Sequence, residues 1–195
     1  LAGFQMYDGH IRDADLELRK TKSDECFNTV LKWLETSGND NFELICGGSP
    51  TFVIHAKRNK VTCSPGTFVY WDQGYNSIPD TGDFLIAAVL ISRIISMPAH
   101  LICIDLGHKS VAAENSIDKR VQFLNNMKLI PISQSEEHLV LQPDPNHQYK
   151  IGDLIYAIPY HICPTVALHD LVYRVENNKM VGTWKNLART RKLNI

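Results

Sequence analysis

The segment Tyr160-His161-Ile162-Cys163-Pro164-Thr165 holds an imidazole and a thiol two residues apart, after an apolar run that Pro159 ends or bends. In an extended segment, residues i and i+2 share a face. His161 and Cys163 would then point the same way, near enough to chelate one ion. An imidazole with a thiolate favours zinc over magnesium or calcium. Two protein ligands leave positions for water or substrate, which is the pattern of a catalytic metal site. A core histidine beside a buried cysteine is the competing reading of the same pair.

A second stretch, Gly47-Gly48-Ser49, follows a short apolar strand. Glycines let backbone N–H groups approach a phosphate, and the Ser49 hydroxyl adds a donor. No lysine follows at the spacing of a P-loop. An ordinary strand-to-loop turn is the alternative. Further polar residues sit where loops leave predicted strands: His10, Asp72, then Asp105, His108 and Lys109, and the cluster Ser135-Glu136-Glu137-His138. The ends of parallel strands are where α/β proteins build active sites. Solvated loop residues or helix caps would look the same.

The elements that must position these residues differ between the two halves of the chain. Residues 4–8 read as a strand and about 15–36 as a helix. Phe27, Val30, Leu31 and Leu34 give that helix one apolar face. Its charges, Arg19, Lys20 and Lys22, are expected on the wet face, and Trp33 in the core. Ser37 and Gly38 offer a stop. Residues 42–46 and 66–71 read as strands. Strand, helix, strand and Gly-rich loop form the rhythm of a parallel α/β unit. Beyond about residue 80 the pattern turns to β. Strands are expected over 84–97, 101–105, 139–142 and 154–158, with a short helix over 117–127. A buried helix is the alternative for 84–97. Stretches 166–175 and 180–184 flank Glu176-Asn177-Asn178-Lys179, a hairpin turn. The expected division is 1–80 and 81–195.

Composition excludes several classes. The chain has 195 residues, 44% apolar, so it can bury a core; its formal net charge is −1 with no basic run, which argues against nucleic acid. The apolar stretch 84–97 is too short to span a bilayer and contains Arg93, so no membrane is expected. Five irregularly spaced cysteines suit reduced thiols rather than a disulfide framework. With no signal-peptide pattern, the expected compartment is cytoplasmic.

Taken together and in order, four segments resemble the D-threonine aldolase / D-serine dehydratase-like family of pyridoxal-phosphate enzymes. They are Tyr7-Asp8-Gly9-His10, Gly47-Gly48-Ser49-Pro50-Thr51, Ser135-Glu136-Glu137-His138 and, most specific, Pro159-Tyr160-His161-Ile162-Cys163-Pro164-Thr165-Val166-Ala167-Leu168. Asp105-Leu106-Gly107-His108-Lys109 looks like a more diverged family stretch. The resemblance implies an alanine-racemase-like fold: the last strands and helices of an α/β (TIM) barrel over 1–80, then a mostly antiparallel β domain with the metal site over 81–195. It implies pyridoxal 5′-phosphate held at Gly47, Gly48 and Ser49. It also implies a divalent metal at His161 and Cys163, zinc first, with manganese or magnesium as alternatives. His10 lies where the family places a residue facing the cofactor.

The family's Schiff-base lysine lies on the first barrel strand, and no lysine here has that context. The chain is therefore expected to be the C-terminal half of a longer enzyme and not to act alone. The implied activity of the whole is cleavage of D-threonine-like substrates or dehydration of D-serine, on a small-molecule D-amino acid, in a homodimer. A cysteine as second metal ligand looks like the dehydratase branch; the Tyr7-Asp8-Gly9-His10 stretch and the glycine loop look like the aldolase branch. A racemase, and a non-catalytic fragment or partner- or metal-binding module, are the other readings.

Overall fold

The computed structural model describes residues 1–38, 42–125 and 128–190. Its chain divides into two compact units, Leu1–Ala87 and Ala88–Ile195.

The first unit opens with strand β1 (Gly3–Met6) and helix α1 (Leu16–Thr36), followed by β2 (Glu43–Cys46), α2 (Phe52–His55), β3 (Val61–Cys63) and α3 (Gln73–Asn76). The three strands form a parallel sheet in the order β1-β2-β3, with Met6, Cys46 and Cys63 in register. Parallel neighbours need a crossover, and α1 supplies it between β1 and β2. Asp15 caps the helix by accepting a bond from the Leu18 amide at 2.8 Å. The apolar face read from the sequence is the one that packs: Phe27 and Leu34, with Val30 and Leu31 beside them, cover Met6, Leu44 and Cys46.

Four expectations in this unit need correction. Arg19 is not on the wet face. It is fully buried, and its guanidinium donates to the carbonyls of Asp13 and Pro79, both at 2.6 Å. Two of its nitrogens thus find acceptors, which offsets the cost of burying the charge, while among the described residues Nε finds none. Trp33 is half-exposed and lies edge-on to Phe4. Residues 66–71 are not a strand: Thr67–Val69 is a 3₁₀ turn, and the third strand precedes it at Val61–Cys63. The β-prone composition is overridden at Trp71, which adopts φ +53 and is buried against Tyr75 and Phe84. Asp72, expected at a strand end, caps α3 by accepting from the Tyr75 amide at 2.8 Å.

The second unit is antiparallel β. It comprises β4 (Leu90–Ser96), β5 (Ile102–Ile104), β6 (Val121–Phe123), β7 (Leu129–Gln134), β8 (Leu139–Pro143), β9 (Leu154–Pro159), α4 (Ile162–Val166), β10 (Leu171–Glu176) and β11 (Lys179–Lys185). Six strands pair in the order β6-β9-β4-β5-β8-β7, and β10 pairs with β11 alone. The core is Ile94, Ile102, Ile104, Leu141 and Ile155, all fully buried. Within 84–97 only the stretch from Leu90 forms a strand. There Ser92 and Ile94 point inward while Ile91, Arg93 and Ile95 are exposed, the two-residue period of a strand.

The helix expected over 117–127 is only a 3₁₀ turn at Ile117–Lys119, with β6 directly after it; residues 126 and 127 lie outside the described residues. Strand β10 starts at Leu171, not at 166, because α4 and its following turn occupy the intervening residues. The hairpin turn is where it was expected. Asn177 and Asn178 both take positive φ, 50 and 61, as a two-residue hairpin loop requires.

The loop 105–109 docks on the turn between β7 and β8. The amides of His108 and Lys109 donate to the carbonyls of Ser135 and Glu136, each at 2.9 Å. Gly107 allows this approach, since a Cβ there would lie 2.1 Å from the Glu136 carbonyl oxygen. Gly107→Ala is therefore expected to destabilise the fold by about 1–3 kcal/mol, as overpacking does. Urea unfolding would read the lowered midpoint; an unchanged midpoint would contradict this packing.

Candidate functional site

In the second unit, β9 runs to Pro159 and the chain then turns into α4. His161 is the residue before the helix, with extended φ −135 and ψ 99, and Cys163 lies in the helix's first turn. The two are thus not neighbours on one extended strand, as the i, i+2 argument supposed. They meet across a strand-to-helix junction. Pro164 does not break it, because first-turn amides have no intrahelical partner.

Thr165, buried in the same turn, fixes the junction. Its hydroxyl donates to the His161 carbonyl at 2.7 Å and accepts from the Ala112 amide at 3.1 Å. That second bond ties in the loop carrying Glu114, whose carboxylate Oε1 lies 2.5 Å from His161 Nδ1. The Cys163 thiol, hydrogen-bonded to the His161 ring, and then the Glu114 carboxylate hold the imidazole more basic than usual, against the opposing push of burial. Cys163 is exposed.

This donor set suits a divalent metal of zinc type: an imidazole and a thiol side by side, with a carboxylate behind the ring. Among the described residues no three His, Cys, Asp or Glu side chains converge as a metal-binding group. The protein would then supply two ligands and leave the rest to water or substrate.

In the first unit, β1 and β2 end side by side, and the stretches after them carry the second cluster. Gly47 takes φ +81, donates to the Met6 carbonyl at 3.1 Å and accepts from Ser64 Oγ at 3.0 Å. The Gly48 carbonyl accepts from the amides of Thr51 and Phe52 at 3.2 and 2.9 Å. Ser49 is buried. The exposed Tyr7 lies against both Gly9 and Gly48, where a Cβ would come within 2.1 and 2.7 Å of its side chain. His10 is exposed in the turn after β1.

The carboxylate beneath this loop is Asp8, which is buried. Asp8 Oδ2 lies 2.8 Å from His55 Nε2 and accepts from Ser23 Oγ at 3.2 Å; Asp8 Oδ1 accepts from Thr51 Oγ1. Burial pushes the carboxyl toward its protonated form. The bonds from His55, Thr51 and Ser23 outweigh that, and its pKa lies below the usual value.

Of the remaining candidates, the structure brings Lys109 together with Glu136 and Glu137, at 2.7 and 3.0 Å. These are exposed pairs, worth about 0–1 kcal/mol each. Asp105 Oδ1 is used within the sheet, accepting from Ser92 Oγ and the Arg93 amide, both at 2.7 Å. Glu114, Ser23 and His55 were not singled out from sequence. His55 stands four residues after Thr51, one helical turn, and that spacing was the available signal.

Residues 87–175 match the family model described as a putative serine dehydratase domain. A 3-hydroxy-D-aspartate aldolase of Paracoccus denitrificans (strain Pd 1222) is 27% identical over 203 residues, covering 96% of this chain and 51% of that protein. The chain is similar to that family over residues 87–175 and to that aldolase over most of its length.

Solved structures give the same fold. The D-threonine aldolase of Filomicrobium marinum superposes with a TM-score of 0.79 at 21% identity, over 96% of this chain and 53% of its own. An alanine-racemase-like protein of Idiomarina loihiensis does so at 0.77 and 18%, over 95% and 56%. The fold is alanine-racemase-like. The chain spans about half the length of the relative and the structures it matches. Among the described residues no helix is long and apolar enough to cross a membrane.

Proposed function

We propose that the whole protein is a pyridoxal-phosphate-dependent lyase of D-3-hydroxy amino acids, working as a homodimer. In this reading His161 and Cys163 hold a divalent metal, and Gly47, Gly48 and Ser49 hold the cofactor phosphate. The observation that carries it is the junction after β9, where the Cys163 thiol meets the His161 ring and Glu114 backs that ring.

When bound, the cofactor withdraws electrons from the substrate's α-carbon and the metal polarises its β-hydroxyl. The chain's own residues do the rest. Glu114 accepts the Nδ1 proton of His161, which orients the ring and leaves Nε2 for the metal. Cys163 supplies the soft ligand that selects zinc. Gly47 provides the left-handed turn that aims the next amides outward, and the Ser49 hydroxyl adds a donor. Loss of the β-hydroxyl gives dehydration; loss of its proton with Cα–Cβ cleavage gives an aldehyde and glycine.

Turnover by the whole protein of D-threonine, D-serine and 3-hydroxy-D-aspartate tests the reading. Glycine with an aldehyde marks cleavage, and a 2-oxo acid with ammonia marks dehydration. No turnover of any of the three would refute it. Glu114→Gln is expected to weaken zinc binding by about 10–100-fold, the usual cost of losing the carboxylate behind a metal-bound histidine. Competition against a chromogenic chelator measures this, and unchanged affinity would remove Glu114 from the site.

A further inference from the structure

The group of Asp8, Ser23, Thr51 and His55 in the first unit comes from three separate segments, and all four side chains are at most 1% exposed. Burying so many polar groups is costly unless each is satisfied, and here they satisfy one another. Arg58 extends the group outward. Its Nη1 donates to His55 Nδ1, its Nη2 reaches Asp24 Oδ1 at 2.5 Å, and its guanidinium stacks on Phe27, 4.1 Å from the ring centre.

The hydrogen bonds assign the tautomer of the His55 ring. Arginine only donates, so His55 Nδ1 must be the bare, accepting nitrogen. The ring proton then sits on Nε2, directed at Asp8 Oδ2. A nucleophilic relay is excluded for Ser23. Such a relay uses opposite ring nitrogens for hydroxyl and carboxylate, whereas Ser23 and Asp8 both meet Nε2, at 3.2 and 2.8 Å.

What the group touches is the glycine loop. A Cβ on Gly47 would fall 2.7 Å from His55 Cδ2 and 3.3 Å from Thr51 Oγ1, so the loop rests directly on this pair. The Thr51 amide holds the Gly48 carbonyl, while its hydroxyl is held by Asp8. Among the described residues, no backbone carbonyl outside the helices and strands accepts from the amides of Gly48 and Ser49. The loop is held in place from this side by these bonds.

We propose that Asp8, Thr51 and His55 are positioning residues, which hold the loop 47–49 in the one conformation that aims its amides at a phosphate. This inference rests on reading that loop as a phosphate cradle. The locked loop needs no reordering when the anion arrives, and preorganised donors are the effective ones.

The test compares pyridoxal 5′-phosphate with pyridoxal as ligands of the full chain, at low ionic strength. Amide resonances of Gly48 and Ser49 are followed in the same titration. The wild type is expected to prefer the phosphorylated ligand and to shift those amides. Thr51→Val should lose about 10–100-fold of that preference, the range seen when an outer partner of a binding group is removed. Thr51→Ser, which keeps the hydroxyl, should retain it. General loosening of the fold would weaken both ligands alike and leave the ratio unmoved. If the wild type shows the preference and a folded Thr51→Val keeps it, the positioning role is overturned and the cradle stands. If the wild type shows neither preference nor amide shifts, the cradle reading fails and takes this inference with it. Should Thr51→Val not fold, His55→Gln carries the same comparison.

Discussion

Replacing both His161 and Cys163 by alanine is expected to lower the zinc content of the purified whole protein from about one ion per chain to background. The reasoning is coordination arithmetic. A site with three or four protein ligands can lose one and keep a weakened hold. Here the junction after β9 offers an imidazole and a thiol, and no third protein group converges among the described residues. Removing both leaves nothing but Glu114, a single exposed carboxylate. Single substitutions should give intermediate occupancy. Cys163→Asp should shift preference from zinc toward manganese or magnesium, because an oxygen replaces a soft sulfur. Elemental analysis reads all of these, and circular dichroism shows whether the sheet has survived. Undiminished zinc in a folded double variant would place the metal elsewhere or remove it from the mechanism.

The second large effect is on stability. Asp8→Ala should destabilise the fold by about 3–5 kcal/mol, since each buried donor left unsatisfied costs about 1–3 kcal/mol. The carboxylate binds three donors at once, so its loss strands the His55 Nε2 proton and the hydroxyls of Thr51 and Ser23 in the interior. Asp8→Asn should cost less, since one oxygen still accepts.

The same carboxylate fixes the sign of the acid response. Its pKa is lowered in the folded state, so the unfolded chain binds protons first as pH falls. The stability it contributes is therefore complete above the ordinary carboxylate range, about pH 4–5. It is lost as pH falls through the lowered folded value. Urea unfolding between pH 7 and 3 should show wild-type stability dropping in the acid range. Asp8→Ala should show a flatter profile. Parallel profiles for the two would mean that Asp8 does not carry the acid response.

Much of this molecule could be read directly from residue order. Helix α1 follows from Phe27, Val30, Leu31 and Leu34, because a 3.6-residue repeat dictates which side chains share a face. The Asn177-Asn178 turn follows from the tolerance of asparagine for positive φ. The change from α/β to antiparallel β could also be read from sequence, as could the segments carrying the glycine loop and the His161–Cys163 pair. These are local properties, decided by spacing and by the preferences of neighbouring residues.

What only the tertiary structure decided is long-range. Trp71 leaves the strand its neighbours favour because burial against Tyr75 and Phe84 outweighs local propensity. Arg19 goes inside because two distant carbonyls, at Asp13 and Pro79, converge on it. Glu114 reaches His161 across forty-seven residues because Thr165 ties their loops together. His55 and Ser23 meet Asp8 only once α1 has crossed over the sheet. Sequence spacing marked the residues proposed to hold a metal and a phosphate. Folding selected the residues that hold them in place, since the partner of a buried polar group is chosen by proximity in space.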